Sequence, residues 1–124
     1  IRVFREHHKP KWLHLVKNID PIIYQKLLKK TICAVGNSSS FVRDSSFSGT
    51  PVVLVGDRQN GRERAANVIS SKNNYEDILK NIKKQLKSKY KKSSIYGNGN
   101  SVKKIQKVLV NKKTKFYQKK FYKK

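Results

Sequence analysis

The sequence predicts an α/β fold, in which helices flank a parallel β-sheet. Short apolar runs of strand length alternate with segments whose apolar residues recur at helical spacing. Residues 51–55 are apolar throughout, which suits a parallel strand that is covered on both faces. A turn rich in hydroxyl groups, residues 36–40, joins another apolar run to a helix. This alternation is typical of βα units.

The N-terminal third contains two predicted helices and one predicted strand. Residues 1–8 are expected to be the end of a helix, which Pro10 stops. Residues 12–16 are expected to be a strand. Asp20 and Pro21 then begin a helix, as the N-cap and the first helical residue. We expect its apolar stripe to pack in the core; the stripe is Ile23, Tyr24, Leu27 and Leu28.

The remaining elements continue the alternation. The predicted strands are residues 31–35, 51–55 and 67–69. Between the first two lies a short helix that ends near Gly49. A long helix follows, capped by Asn73 or Asn74, and carries Tyr75, Ile78, Leu79, Ile82 and Leu86 at helical spacing. Ser101 is expected to cap a last helix.

The net charge of +23 is concentrated in residues 72–124, which contain 18 Lys and 2 acidic residues. One interpretation is a basic module that binds nucleic acid or an anionic surface. The other is compositional drift on solvated faces. The cations of this half are all Lys, whereas Arg is the usual bidentate reader of phosphates and bases. We therefore favour drift and do not expect nucleic acid as a partner. Residues 111–124 are expected to form a basic tail.

Several classes of protein and site are disfavoured. Cys33 is the single cysteine, so no intramolecular disulfide forms, which fits a cytoplasmic location. No apolar run is long enough to span a membrane, and we expect no secretory leader. The three histidines lack the acidic neighbours of a metal site, so no metal is expected. The chain begins at Ile1 and contains no Met, so we expect a fragment of a longer protein.

The turn at 36–40 is the candidate binding site. It precedes a helix, and a helix N-terminus offers unpaired N–H groups and a partial positive charge to phosphate. Ser38, Ser39 and Ser40 add hydroxyl groups, and the loop after the next strand offers Arg58, with Arg62 and Arg64 nearby. Asp44 lies one helical turn beyond Ser40, where a carboxylate could accept from ribose hydroxyls. The alternative is that the serines only cap the helix and that Asp44 only stabilises its first turn through the helix dipole. Spacing alone leaves both interpretations open.

Five blocks of sequence resemble the C-terminal half of the hydrolysing UDP-N-acetylglucosamine 2-epimerases. They are GNSSSFVRD at 36–44, FSGTPVV at 47–53, GDRQNGRER at 56–64, NV at 67–68 and IYGNGN at 95–100. The resemblance covers residues 1–110 and implies a UDP-binding, Rossmann-like domain, the second half of a GT-B enzyme with two domains. The first domain would be absent from this chain.

The resemblance also implies roles for single residues. Ser38 and Ser39 would contact the phosphates or ribose, Asp44 the ribose hydroxyls and Arg58 the diphosphate, and Ile19 would line the uridine. The implied partners are UDP-N-acetylglucosamine or UDP, and further copies of the full-length protein in a homo-oligomer. The implied reaction eliminates UDP and adds water to the glycal, giving N-acetylmannosamine without a cofactor. The acid–base residues would lie largely in the first domain, so no catalytic residue is expected here.

Three sites depart from the family pattern. Phe41 stands where the family usually has Gly, Asp44 stands where it has Glu, and Ala65-Ala66 stands where it has Gly-Glu before Asn-Val. Asp is one methylene shorter than Glu, and Phe41 would crowd a close approach of the backbone to a ligand.

Overall fold

A computed structural model describes residues 1–111 of the chain. Residues 112–124 of the predicted basic tail lie outside the described residues. The helices are α1 (Arg2–His8), α2 (Pro21–Lys30), α3 (Ser39–Ser48), α4 (Tyr75–Leu86) and α5 (Ser101–Asn111). The strands are β1 (Ala34–Gly36), β2 (Val52–Val55) and β3 (Val68–Ser71). Among the helices described, none is both long and apolar enough to cross a bilayer.

The three strands form one parallel sheet in the order β1-β2-β3. Ala34 pairs with Val52, and Val52 pairs with Val68 on its other side. β2 is the central strand, and α3 and α4 pack against it, so Val52, Val53 and Leu54 are almost completely buried. The predicted α/β, Rossmann-like fold with flanking helices is confirmed.

The core lies mainly between the sheet and the helices α2 and α3. Val52 and Leu54 share one face of β2, where they cluster with Val42 of α3 and Leu28 of α2. Val53 points to the opposite face, and α4 packs against β2 and β3.

Two buried amides join the helices to the amino ends of β2 and β3. Gln85 of α4 is fully buried, and its Nε2 donates to the carbonyl oxygens of Val52, at 2.7 Å, and of Asn67, at 2.9 Å. Asn67 in turn donates from Nδ2 to the Ser45 hydroxyl at 2.9 Å and to the Thr50 carbonyl at 2.7 Å. Neither role could be predicted from the sequence, because amide side chains carry no signal of burial.

Helix-capping chemistry correctly predicted the start of α2 and the end of α3, and it narrowed the cap of α4 to Asn73 or Asn74. The Asp20 carboxylate accepts from the Ile22 and Ile23 N–H groups, and Asn74 caps α4 through the Asp77 N–H. Gly49 ends α3 in the left-handed conformation, with φ of 73°. Ser101 is itself the first residue of α5, so its predicted role as the residue before that helix is wrong by one position.

The strand predicted at residues 12–16 does not form. The Leu13 N–H donates instead to the Pro10 carbonyl at 3.2 Å, which makes a turn. A strand requires a neighbour that pairs with its backbone, and the described sheet has β2 as the only partner of β1. Trp12 is therefore 72% exposed rather than packed on a sheet face.

The core prediction for α2 is also wrong in part. Leu28 is buried and Tyr24 is half-buried, but Ile23 and Leu27 are both more than half exposed. Within the described residues, α2 packs chiefly on α3. A single helix partner covers only a narrow strip of an amphipathic face, which leaves the edge of that stripe in solvent.

Candidate functional site

The candidate site lies at the carboxyl ends of β1 and β2. Gly36 pairs with Leu54, so the turn after β1 and the loop 56–64 after β2 leave the sheet side by side. In open parallel sheets, ligands bind beyond this edge. The two segments that the sequence singled out are therefore neighbours in space.

The first segment begins α3 with a hydroxyl cap. Ser38 is the N-cap, and its Oγ accepts from the Ser40 N–H at 3.3 Å, while its carbonyl accepts from the Phe41 N–H at 3.2 Å. Within residues 1–111, the N–H groups of Ser38 and Ser39 donate to no protein acceptor. These two donors and the positive end of the helix dipole suit an anion.

A chain of hydroxyl groups supports this turn. The Tyr24 hydroxyl lies 2.6 Å from the Ser40 Oγ, which lies 2.9 Å from the Ser38 Oγ. Helical periodicity in the sequence predicts Tyr24 only as part of the apolar stripe of α2. A tyrosine that packs against a core needs a hydrogen-bond partner for its hydroxyl group. This requirement is the signal in the sequence that could have identified the contact of Tyr24 with a polar turn.

The second segment is tied to the first by Gln59. This side chain is only 4% exposed, and its Nε2 donates to the Asn37 carbonyl at 2.9 Å. The Gln59 Oε1 is buried and accepts from no group in the described structure.

Arg64 braces the second segment rather than facing a ligand. Its Nη2 donates to the Gln59 carbonyl and to the Asn60 Oδ1, each at 3.2 Å, and its Nη1 donates to the Ser70 hydroxyl. Arg58 and Arg62 are exposed. Arg58 directly precedes Gln59, the residue whose side chain joins the two segments. Of the three arginines in the loop, it is the nearest to Gln59 along the chain.

Asp44 lies in a different part of this surface. It is half-buried, and it lines a groove of about 530 Å³ with residues of α2, of α3 and of the segment after α4. The groove is also lined by Gln25, Arg43, Ser46, Phe47, Ser93, Tyr96 and Gly97. The Tyr96 hydroxyl donates to the Glu63 carbonyl, which connects the groove to the loop 56–64.

Ile19 precedes the N-cap of α2 and is half-buried. It does not line the Asp44 groove, and neither do Ser38, Ser39 or Arg58. The structure thus brings the first serines and the Arg58 loop together, while Asp44 lies over a separate groove and Ile19 at the start of α2.

Phe41 packs inward. Its ring lies on the core cluster, and its Cε2 would be 3.1 Å from a Cβ added to Gly36. The absence of a side chain at Gly36 therefore makes room for the Phe41 ring.

Two groups near the sheet have shifted pKa values. Partial burial raises the pKa of the Cys33 thiol, which favours its neutral form and makes it a poor nucleophile. Hydrogen bonds from the Lys72 N–H and the Ser71 hydroxyl lower the pKa of Asp77, and the charges of Lys72 and Lys80 act in the same direction. In the described residues, no three His, Cys, Asp or Glu side chains come together as a metal site.

Comparison with known proteins assigns the family. The model of the UDP-N-acetylglucosamine 2-epimerase family matches residues 2–110. The chain belongs to this family. Both candidate segments and the Asp44 groove fall within the matched residues. The predicted membership of this family is confirmed.

Two relatives of this epimerase-family chain are hydrolysing enzymes. It is 34% identical over 100 residues to the UDP-N,N'-diacetylbacillosamine 2-epimerase (hydrolyzing) of Legionella pneumophila, an alignment that covers 80% of this chain and 23% of the relative. It is 40% identical over 70 residues to the GDP/UDP-N,N'-diacetylbacillosamine 2-epimerase (hydrolyzing) of Campylobacter jejuni, covering 56% of this chain and 17% of the relative. The chain thus spans less than a quarter of the length of these relatives.

Proposed function

We propose that this chain is the UDP-binding, C-terminal domain of a hydrolysing UDP-sugar 2-epimerase and forms the second half of a GT-B enzyme. The observation that carries the proposal is the Gln59–Asn37 hydrogen bond, which holds the Arg58 loop against the N-terminal turn of α3. Two unpaired N–H groups and an exposed arginine then flank one edge of the sheet. Such donors suit a diphosphate.

In this proposal Ser38, Ser39 and Arg58 hold the diphosphate, Asp44 accepts from the ribose hydroxyls and Ile19 lines the uridine. As the bond from the sugar to UDP breaks, negative charge grows on the diphosphate. Fixed N–H donors and a guanidinium stabilise that charge without reorganising, and so favour departure of UDP. The substrate is UDP-N-acetylglucosamine, which gives N-acetylmannosamine and UDP. The acid–base residues belong to the other domain of the parent enzyme.

The first experiment measures thermal unfolding of the 124-residue chain with and without UDP. A ligand present at 100 times its Kd stabilises the folded state by about 2.7 kcal/mol, which raises Tm by several degrees. UDP should protect the chain, and Arg58→Ala should abolish the protection. Arg5→Ala, which removes an exposed arginine of α1, should retain the protection. GDP is the specificity control, because the Campylobacter jejuni relative is named for both nucleotides.

The same chain tests the alternative, a basic nucleic-acid module. If DNA or RNA binds with a steep dependence on salt while UDP has no effect on Tm, the basic-module interpretation replaces the proposal. A chain that folds but binds neither would be a degenerate remnant. We also expect the isolated chain to leave UDP-N-acetylglucosamine unconverted, and N-acetylmannosamine formation by a preparation free of host epimerase would contradict this.

A further inference from the structure

Gln59 differs from its neighbours in the loop 56–64. Asp57, Arg58 and Asn60 are exposed, whereas the Gln59 side chain is turned inward and 4% exposed. Its amide nitrogen has a partner, the Asn37 carbonyl, and its amide oxygen has none within the described residues. An amide buried with one half unpaired lowers the stability of the fold relative to a fully paired one. The contribution of the Gln59 side chain to the structure therefore lies in its hydrogen bond to the Asn37 carbonyl.

That bond fixes the orientation of one peptide group. The Asn37 carbonyl belongs to the peptide that also carries the Ser38 N–H. In a planar trans peptide, the C=O and N–H bonds point in opposite directions. A carbonyl held toward Gln59 therefore directs the Ser38 N–H away from Gln59. The Ser38 N–H is one of the two unpaired donors at the start of α3.

Gln59 is itself held in place from β3. Its own carbonyl accepts from the Arg64 Nη2 at 3.2 Å, and the Arg64 Nη1 donates to Ser70 on β3. The resulting path, Ser70 to Arg64 to Gln59 to Asn37, crosses the carboxyl ends of all three strands. The turn before α3 is thus oriented by a rigid connection to the sheet and does not depend on its own serines alone.

We propose that Gln59 is a positioning residue for the diphosphate of the bound nucleotide, acting by orienting the Asn37–Ser38 peptide. This inference rests on the proposed function. Gln59 donates no bond to the ligand; it sets the direction in which Ser38 donates. The consequence is specific, because a ligand without phosphates gains nothing from that orientation.

The test is Gln59→Met in the 124-residue chain, since Met keeps the length of the side chain and removes the donor. UDP binding, measured by calorimetry, should weaken about tenfold, while uridine binding, measured by NMR titration, should stay within twofold of wild type. The Tm without ligand should shift little, because the exposed Asn37 segment lets water replace the lost bond.

The matched control is Gln85→Met, because Gln85 is also a buried glutamine whose Nε2 donates to main-chain carbonyls. It should lower Tm clearly, because its partners are buried, and leave the UDP Kd of the folded chain unchanged. If wild type binds no UDP, the proposed function fails, and the inference fails with it. If wild type binds UDP and Gln59→Met binds it equally well, only the inference is overturned. It is also overturned if Gln59→Met loses UDP and uridine together, or lowers Tm as much as Gln85→Met, since Gln59 would then be a structural residue.

Discussion

The hydroxyl of Tyr24 lies 2.6 Å from the hydroxyl of Ser40, joining α2 to the first turn of α3. Tyr24 belongs to the apolar side of its helix and packs against the core cluster, so the same residue both fills space and orients a polar turn. The Ser40 Oγ is in turn 2.9 Å from the Ser38 cap. The start of α3 therefore depends on a side chain 16 residues earlier in the chain.

We expect Tyr24→Phe to lower the free energy of unfolding by about 1 kcal/mol, the usual net contribution of one hydrogen bond. UDP binding should weaken about threefold, because Ser40 loses a neighbour that orients the cap. Urea unfolding and calorimetry measure the two effects. Tyr75→Phe is the control, since Tyr75 on α4 is 72% exposed, and it should change stability by less than about 0.5 kcal/mol. Equal effects from the two substitutions would contradict the role given to Tyr24.

Asp44→Glu should tighten UDP binding. The longer carboxylate restores the residue type that the family pattern has at this position and extends from the Asp44 groove toward a ribose. We expect about a fivefold gain, equivalent to about 1 kcal/mol. Calorimetry with UDP and with 2'-deoxy-UDP distinguishes the cause, because the gain should shrink when the 2'-hydroxyl is missing. An equal gain for both nucleotides would argue against ribose recognition by this residue.

Gly49→Ala should destabilise the fold strongly. Gly49 has φ of 73°, and a Cβ added there would lie 2.5 Å from the Tyr90 carbonyl oxygen, which belongs to the backbone and cannot move aside alone. We expect a loss of about 3 kcal/mol, from backbone strain together with the displaced segment. Gly61→Ala is a matched control, because its φ is 77° and nothing lies within 4 Å of the added Cβ. That variant should lose only about 1 kcal/mol, the cost of the left-handed conformation. Similar losses in urea unfolding would show that the Tyr90 contact is unimportant.

Asp77 should make stability depend on acid pH. Hydrogen bonds from the Lys72 N–H and the Ser71 hydroxyl lower its pKa in the folded state. The unfolded chain therefore binds the proton more readily, and the contribution of Asp77 is present above about pH 4 and is lost as pH falls through the lower folded value. Asp77→Asn should be less stable than wild type at pH 7, and the difference should shrink as pH approaches 2. A difference in urea unfolding that is the same at both ends of this range would contradict the assignment.

Much of the candidate site could be predicted because its parts are local. Ser38 and Ser39 follow a strand and begin a helix, and Arg58 follows the next strand; the parallel sheet then brings both to one edge. The sequence does not show that Arg64 supports the loop while Arg58 is exposed, because both arginines belong to the same polar segment. The role of Arg64 as a brace depends on Ser70, whose position relative to the loop is set by the pairing of β3 with β2.

The sequence by itself determined the α/β class, the helix cap at Asp20, the choice of Asn73 or Asn74 as the cap of α4, and the turn at the start of α3. These features arise from residues a few positions apart, where periodicity and capping chemistry act directly. Only the tertiary structure decided that Gln59 holds Asn37, that Ile23 stays in solvent and that residues 12–16 form no strand. Each of those outcomes depends on which surfaces meet across the fold, and burial or backbone pairing between distant segments leaves no periodic mark in the chain.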